Sequence, residues 1–336
     1  MPISNNRRPT ILVTGATGFL GGALTRTLLL HGYRVRALGR NPHRHAQLQA
    51  LGADTRWVDL RNRSAVQNAC VGVDAVVHAG ALSSLWGRAR DFHAINVEGT
   101  RHVVDGCVAH RIRRLVHISS PSVVFDGRDQ SNATEDVAYP RRFTSVYAAT
   151  KKRAEDVVRA AARQGLETVT LRPKAMFGPG DTALLPRLIR AAAAGRLAQI
   201  GNGENRVDLT YVENVVHAIL LSLESPSAPG RTYTITNAEH PKLWDVVRRV
   251  LAHQRMNRTL RTVPIPLALV AASLLEARAR FDGREPALTR YSVLVLARTQ
   301  TYDISAARRD LGYEPIIGVD DGLERSLHAM ERVRGV

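Results

Sequence analysis

The chain has 336 residues, enough for about two domains with a full hydrophobic core. Apolar residues make up 44% and charged residues 23%, which excludes disorder as the main state; two cysteines, Cys70 and Cys107, exclude a disulfide scaffold and form no zinc motif. The net charge of +17 is arginine spread along the chain with only four lysines, and with aromatics at 5% it reads as a solvated basic surface, so no nucleic-acid partner and no metal are expected.

In chain order, residues 1–9 contain no hydrophobic segment of a secretory signal, and a cytoplasmic location is expected. Residues 11–13 predict a buried strand, 20–31 a helix ending at Gly32, and 34–38 a second strand. Further strands are predicted at 74–78, 114–118 and 169–171, with helical stretches between them. This alternation points to right-handed βαβ units around a parallel sheet. After Gly178 the pattern is less regular and proline-punctuated. The longest apolar stretch, 265–275, is too short to span a bilayer. It reads as a buried or pocket-lining helix in preference to an interfacial membrane helix.

The first strand runs into Thr14-Gly15-Ala16-Thr17-Gly18-Phe19-Leu20-Gly21. Gly15 permits the tight turn, Gly18 lets backbone amides approach a pyrophosphate, and Gly21 lets the helix pack against the sheet. Thr17, Phe19 and Leu20 belong to the same cofactor-binding loop. A NAD site usually carries an acidic residue about 20 positions on. None occurs between Gly22 and Ala53, and Arg40 follows the second strand instead. A guanidinium there suits a 2′-phosphate, so NADP(H) is favoured over NAD(H). Asp59, with Leu60 beside it, follows a strand and is placed to accept from an adenine amino group.

Tyr147 and Lys151 stand four apart at the start of an Ala/Lys/Glu-rich helix, hence on one face. A nearby ammonium favours the phenolate and tunes the phenol for proton exchange with a carbonyl. His117-Ile118-Ser119-Ser120-Pro121-Ser122 ends an apolar strand, where open α/β sheets bind ligands. A serine there can hydrogen-bond the substrate oxygen. The fold class expected is α/β: a Rossmann doubly wound parallel sheet over 9–178, then a smaller C-terminal α/β substrate lobe over 179–336, some segments of which return to the sheet. Leu184, Leu185, Leu188, Leu267, Leu269, Val270 and Leu274 are candidates to line an apolar substrate site.

Together these motifs resemble the extended short-chain dehydrogenase/reductase family, most closely its 3β-hydroxysteroid dehydrogenase-like branch, which includes sterol dehydrogenases and 2-alkyl-3-oxoalkanoate reductases. The resemblance covers nearly the whole chain. It extends through His78-Ala79-Gly80-Ala81, Asn96-Val97-Glu98-Gly99-Thr100, Leu171-Arg172-Pro173, Gly178-Pro179-Gly180-Asp181, Tyr211-Val212-Glu213-Asn214 and Pro286-Ala287-Leu288-Thr289-Arg290-Tyr291. It implies that Ala79, Gly80 and Ala81 pass under the cofactor, that Pro173 and Ala175 approach the nicotinamide, and that Asn96 belongs to the cofactor-binding set. It places the catalytic hydroxyl on Ser120; Pro121 departs from the usual small residue, which leaves Ser122 as a second candidate. The expected activity is interconversion of a secondary alcohol and a ketone on a hydrophobic substrate, a β-keto acid or sterol-like ketone, with Tyr147 as acid/base. The alternatives are a NAD-dependent nucleotide-sugar epimerase or dehydratase and a non-catalytic cofactor-sensing or nucleic-acid-binding protein. A homodimer and a weak membrane association are left open.

Overall fold

The computed structural model describes residues 8–256 and 259–334. Short apolar, β-branched runs form the central strands of its sheet, and each of the first five strands is followed by a helical segment. β1 (Thr10–Thr14), β2 (Arg34–Gly39), β3 (Asp54–Trp57), β4 (Ala75–His78) and β5 (Arg114–Ile118) alternate with α1 (Phe19–Leu30), α2 (Pro42–Ala50), α3 (Arg63–Ala69), α4 (Ala89–Phe92) and α5 (Gly99–Ala109). A π-helical segment, His93–Glu98, joins α4 to α5. Next come β6 (Gln130–Ala133), the long α6 (Val146–Arg163) and β7 (Glu167–Pro173). The remainder holds β8 (Met176–Phe177), α7 (Leu184–Ala193), β9 (Gln199–Ile200), β10 (Thr210–Tyr211), α8 (Val212–Glu224), β11 (Thr232–Ile235) and α9 (Leu243–His253). It ends with β12 (Thr262–Val263), α10 (Ile265–Asp282), α11 (Arg290–Ala297), β13 (Gln300–Tyr302), α12 (Ser305–Leu311) and α13 (Val319–Arg334).

Seven strands form one parallel sheet in the order β11-β7-β5-β4-β1-β2-β3. The strand order reverses beside β1, whose neighbours are β2 and β4, so their carboxyl ends frame the crevice where such sheets bind ligands. Alternate residues of β1 serve opposite faces, as the strand period requires. Ile11 and Val13 pack under α1, α8 and α12; Leu12 packs under α3, α5 and α6. β11 and α8 lie late in the chain yet complete this sheet and its core. Smaller cores among the described residues lie outside it, one joining α7, α9 and α13, a second joining α9, α10 and α11, and a third around Val123, Val124, Ala133 and Tyr302. Cys70 and Cys107 are free and buried, and burial pushes the Cys70 thiol up to about 11.

The first helix begins at Phe19, one residue earlier than the sequence suggests, which makes Gly18 its N-cap. The outcome for α10 is divided. The sequence reads 265–275 as buried or pocket-lining; Leu267, Ala268 and Ala271 do line a large cavity, but only Ala268, Ala272 and Ala279 of this helix are buried. Its large apolar residues Leu267, Val270, Leu274 and Phe281 are exposed. An apolar run reads as core when its small and large residues are not separated by face; here the helix buries its alanines.

Candidate active site

The glycine loop, the serine run and the start of α6 converge on one cavity of about 1,770 Å³. Gly15 lies at φ +69°, and a Cβ there would come within 2.7 Å of the Gly80 Cα, so the turn admits only glycine. A Cβ on Gly21 would come within 2.2 Å of the Gly15 carbonyl oxygen. Gly18 caps α1 without a side chain, so no side-chain acceptor takes the amides of the first turn. Gly15, Thr17, Gly18, Phe19 and Leu20 all line the cavity. Free amides at the positive end of a helix, on a surface bare of side chains, fit the pyrophosphate of a dinucleotide.

The walls beside this loop come from the predicted residues as well. Leu60, Ala79, Gly80 and Ala81 line the cavity on one side, and Pro173 and Ala175 on another. Ala175 sits at φ +42°, a left-handed conformation unusual outside glycine, where the chain turns sharply after β7. Arg40 and Asp59 also line it. They pair at 3.3 Å, and Asp59 further accepts from Arg61 at 2.7 Å. The Arg61 hydrogen bond, aided by the Arg40 charge, holds the Asp59 carboxyl well below the usual carboxylate range. The Arg40 side chain is half exposed and is available to an anion at the cavity edge.

Tyr147 stands in the first turn of α6, which Ser145 caps by accepting from the Ala148 amide at 3.1 Å. Its hydroxyl faces Ser120; burial pushes the phenol up to about 12, against the lowering effect of that neighbour. Lys151 lies one turn on and is buried, its Nζ donating to the Ile118 carbonyl at 2.7 Å beside His117 Nε2 at 3.4 Å. Burial brings the Lys151 ammonium down to about 8, while Glu155, a further turn along the same face, pulls it upward. Glu155 itself is held by Arg172 through two bonds, at 2.9 and 2.7 Å, and by the Tyr139 hydroxyl at 2.8 Å. One helix face thus carries the phenol, the ammonium and a carboxylate in series.

The structure separates the two serines. Ser120 lines the cavity; Ser122 does not, because the 3₁₀ turn Pro121–Val123 folds it inward. The Ser122 amide donates to Ser120 Oγ at 3.2 Å, and its own Oγ is buried without a hydrogen-bond partner among the described residues. Asn96 is also outside the cavity lining. Its amide bonds both the Leu82 backbone, at 2.7 and 3.1 Å, and Thr150 Oγ1 at 3.1 Å, tying the loop after β4 to α6. Lys151 sits behind the lining, with its Nζ on the Ile118 carbonyl.

Of the predicted apolar lining, Leu184, Leu185, Leu188 and Leu267 face the cavity. Leu269 packs in the second small core, and Val270 and Leu274 point outward. Tyr291 and Leu288, not singled out by periodicity, line the cavity too. Burial and the nearby Tyr147 raise the Tyr291 phenol. The Pro286-to-Tyr291 segment of the resemblance is the signal that points to them. Beneath the site, His78 bridges Thr14 Oγ1 at 2.7 Å and Thr100 Oγ1 at 3.0 Å, with the His117 ring 5.4 Å away. Elsewhere, His253, His328 and Glu331 bring potential ligand atoms within 4.8 Å of one another, outside this cavity.

The sequence of residues 12–267 matches the 3-beta hydroxysteroid dehydrogenase/isomerase family. A 2-alkyl-3-oxoalkanoate reductase of Stenotrophomonas maltophilia is 39% identical over 324 residues, covering 94% of this chain and 97% of that protein. A decarboxylating sterol-4-alpha-carboxylate 3-dehydrogenase of Mus musculus is 31% identical, covering 99% and 93%. Among solved structures, a UDP-glucuronic acid 4-epimerase of Bacillus cereus in complex with NAD shares the fold at a TM-score of 0.74 and 22% identity, covering 96% and 99%. The chain belongs to the 3-beta hydroxysteroid dehydrogenase/isomerase family and is an NAD(P)-dependent dehydrogenase/reductase of the extended short-chain type.

Proposed function

We propose that the chain interconverts a ketone and a secondary alcohol at the 3-position of a large apolar substrate, a 2-alkyl-3-oxo acid before a sterol-like ketone, with NADP(H) preferred. The observation that carries this reading is the Ser120–Tyr147 hydroxyl pair on a single cavity that has the glycine loop at one end and leucines of α7 at the other. Arg190 and Arg196 line the same cavity, so a carboxylate on the substrate meets cations there. The 39% identical reductase carries that substrate class in its name. The preference for NADP(H) rests on Arg40 at the end of β2 and on the lack of an acidic residue at that position. Residues 9–178 are the cofactor-binding part and 179–336 the substrate-binding part, with β11 and α8 lent back to the sheet.

When bound, the nicotinamide supplies or takes the hydride. The chain handles the proton and the geometry. In reduction, Tyr147 donates its hydroxyl proton to the carbonyl oxygen as the alkoxide develops, and becomes a phenolate. Ser120 donates a hydrogen bond to the same oxygen and so fixes it beside Tyr147. The Lys151 ammonium stabilises the phenolate charge from one turn below, and Glu155 helps keep that ammonium charged. In oxidation each step runs in reverse.

The test is oxidation of NADPH and NADH with 2-alkyl-3-oxo acids and 3-ketosteroids, beside product analysis after incubation with UDP-sugars. Turnover of the oxo acids is expected, with Tyr147→Phe lowering kcat by about 10²–10⁴-fold. Arg40→Gln should weaken NADPH binding roughly tenfold and leave NADH unchanged. Turnover of UDP-sugars alone, or an active Tyr147→Phe enzyme, overturns the reading.

A further inference from the structure

Helices α9 and α13 share an apolar core in which Val246 and Val250 of one pack with Leu323 and Leu327 of the other. Arg249 of α9 also pairs with Asp320 of α13. Beside this seam, the i, i+3 spacing sets His328 and Glu331 next to each other on α13, and His253, the last residue of α9, meets them. Each of the three offers one ligand atom, and these atoms lie within 4.8 Å of one another. We propose that His253, His328 and Glu331 bind one divalent transition-metal ion of the zinc class, and that the ion clasps α9 to α13. The inference goes beyond the redox reading and stands apart from it, since none of the three residues lines the cofactor cavity.

His253 Nδ1 is the atom that asks for a ligand. It is buried and has no hydrogen-bond partner among the described residues, although Glu331 Oε1 stands 3.5 Å away. That separation is long for a hydrogen bond. It is close to the edge of about 3.3 Å between two ligand atoms around a tetrahedral zinc with bonds of about 2.0–2.1 Å. The His253 and His328 rings are 5.6 Å apart between centroids and nearly perpendicular, at 74°. Two imidazoles on one tetrahedral ion have centroids about 5 Å apart by the same bond lengths. His328 is exposed, so its side chain can turn to close the remaining gap.

Charge and ligand type select the ion. His253 closes α9 and Glu331 lies in the last described turn of α13, so two helix carboxyl ends turn partial negative charge toward the site. His328 and Glu331 open on a pocket of about 560 Å³ that Arg325, Arg332 and Glu213 also line. The two guanidiniums disfavour an ion held by charge alone, such as calcium or magnesium, which also needs more oxygen ligands. Two imidazole nitrogens and one carboxylate select zinc, nickel or copper instead, and the pocket leaves a fourth position for water. No sequence motif announces this set, because His253 stands far from the other two in the chain.

The experiment is calorimetric titration of zinc sulfate into the full chain after treatment with a chelator. One ion per chain is expected, with a Kd on the order of 1–10 µM. Zinc at about a hundred times that Kd should raise the thermal unfolding midpoint by roughly 4 °C. His328→Ala and Glu331→Gln should each weaken binding about tenfold or more and remove the rise. Without zinc, His328→Ala should unfold within about 1 °C of the original chain, which shows that it folds. His110→Ala, at an exposed histidine elsewhere, should change nothing. Cobalt in place of zinc should give the visible absorption of a four-coordinate site, and His253→Gln should abolish it. No zinc binding below about 100 µM overturns the proposal and leaves His253 and Glu331 as an ordinary ion pair. Binding that His328→Ala does not weaken overturns it as well, since the zinc then sits on other histidines of the surface.

Discussion

Ser120 and Ser122 are two positions apart, and no rule of spacing ranks them. The choice is made by a single 3₁₀ turn, in which Ser120 is the N-cap and Ser122 the second residue, so one hydroxyl reaches the cavity and the other turns into the core. Sequence could place a hydroxyl at the end of β5 but could not say which way a three-residue turn would point it. Asn96 is a similar case, since its type suits a cofactor contact while its bonds to Leu82 and Thr150 employ it in holding a loop. The glycines were legible because their reason is local: a left-handed turn and close backbone contact leave no other residue. Ser120→Ala should lower kcat for ketone reduction by about 10²-fold, by removing a donor to the developing oxyanion. Ser122→Ala should leave kcat within about twofold, because its Oγ has no partner to lose. Steady-state kinetics of the two variants on one ketone checks this, and equal losses would refute the assignment.

At the scale of elements, α6 shows how a readable spacing hides an unreadable environment. The i, i+4 rule places Tyr147 and Lys151 on one face and continues to Glu155. What it does not show is that Glu155 is 3% exposed and matched to Arg172 of β7, itself 3% exposed. Burial pushes the Glu155 carboxyl up, but the Arg172 and Tyr139 hydrogen bonds outweigh it and hold the group ionised. Removing one member leaves the other charge buried and unpaired, which costs about 3–5 kcal/mol. Glu155→Ala should therefore lose about that much stability in urea unfolding. Asp156→Ala, next along the helix, breaks only the exposed Lys152 and Arg159 pairs and should lose less than about 1 kcal/mol. The contrast tests burial directly, since both variants remove one carboxylate from the same helix. The opposite lesson comes from α10, where hydrophobicity was legible and its direction was not, because burial is decided by neighbours that periodicity does not contain.

For the whole molecule, the parallel sheet could be read from alternating strand and helix patterns, and β1, β2, β4, β5 and β7 fall where those patterns put them. The order β11-β7-β5 could not, since it depends on a strand some 60 residues after β7 choosing the sheet edge. The same sheet buries two imidazoles side by side at the ends of β4 and β5. Burial, then the Lys151 charge, lowers His78 from 6.5 to about 3 and His117 well below its ordinary value. Both rings are therefore neutral in the folded chain, while an unfolded chain protonates them below about pH 6.5. The unfolded state binds more protons throughout that window, so the stability is complete above pH 6.5 and is lost as the pH falls toward 3. Each histidine contributes a slope approaching about 1.4 kcal/mol per pH unit. His117 is the one to remove, because its Nδ1 is buried with no hydrogen-bond partner among the described residues, whereas His78 holds two threonines. His117→Phe should flatten the fall in urea-unfolding free energy between pH 6.5 and 4.5 by about that one-histidine slope. Parallel lines for the variant and the original chain would show that His117 takes up no extra proton on unfolding, and that the pair is not a source of acid sensitivity.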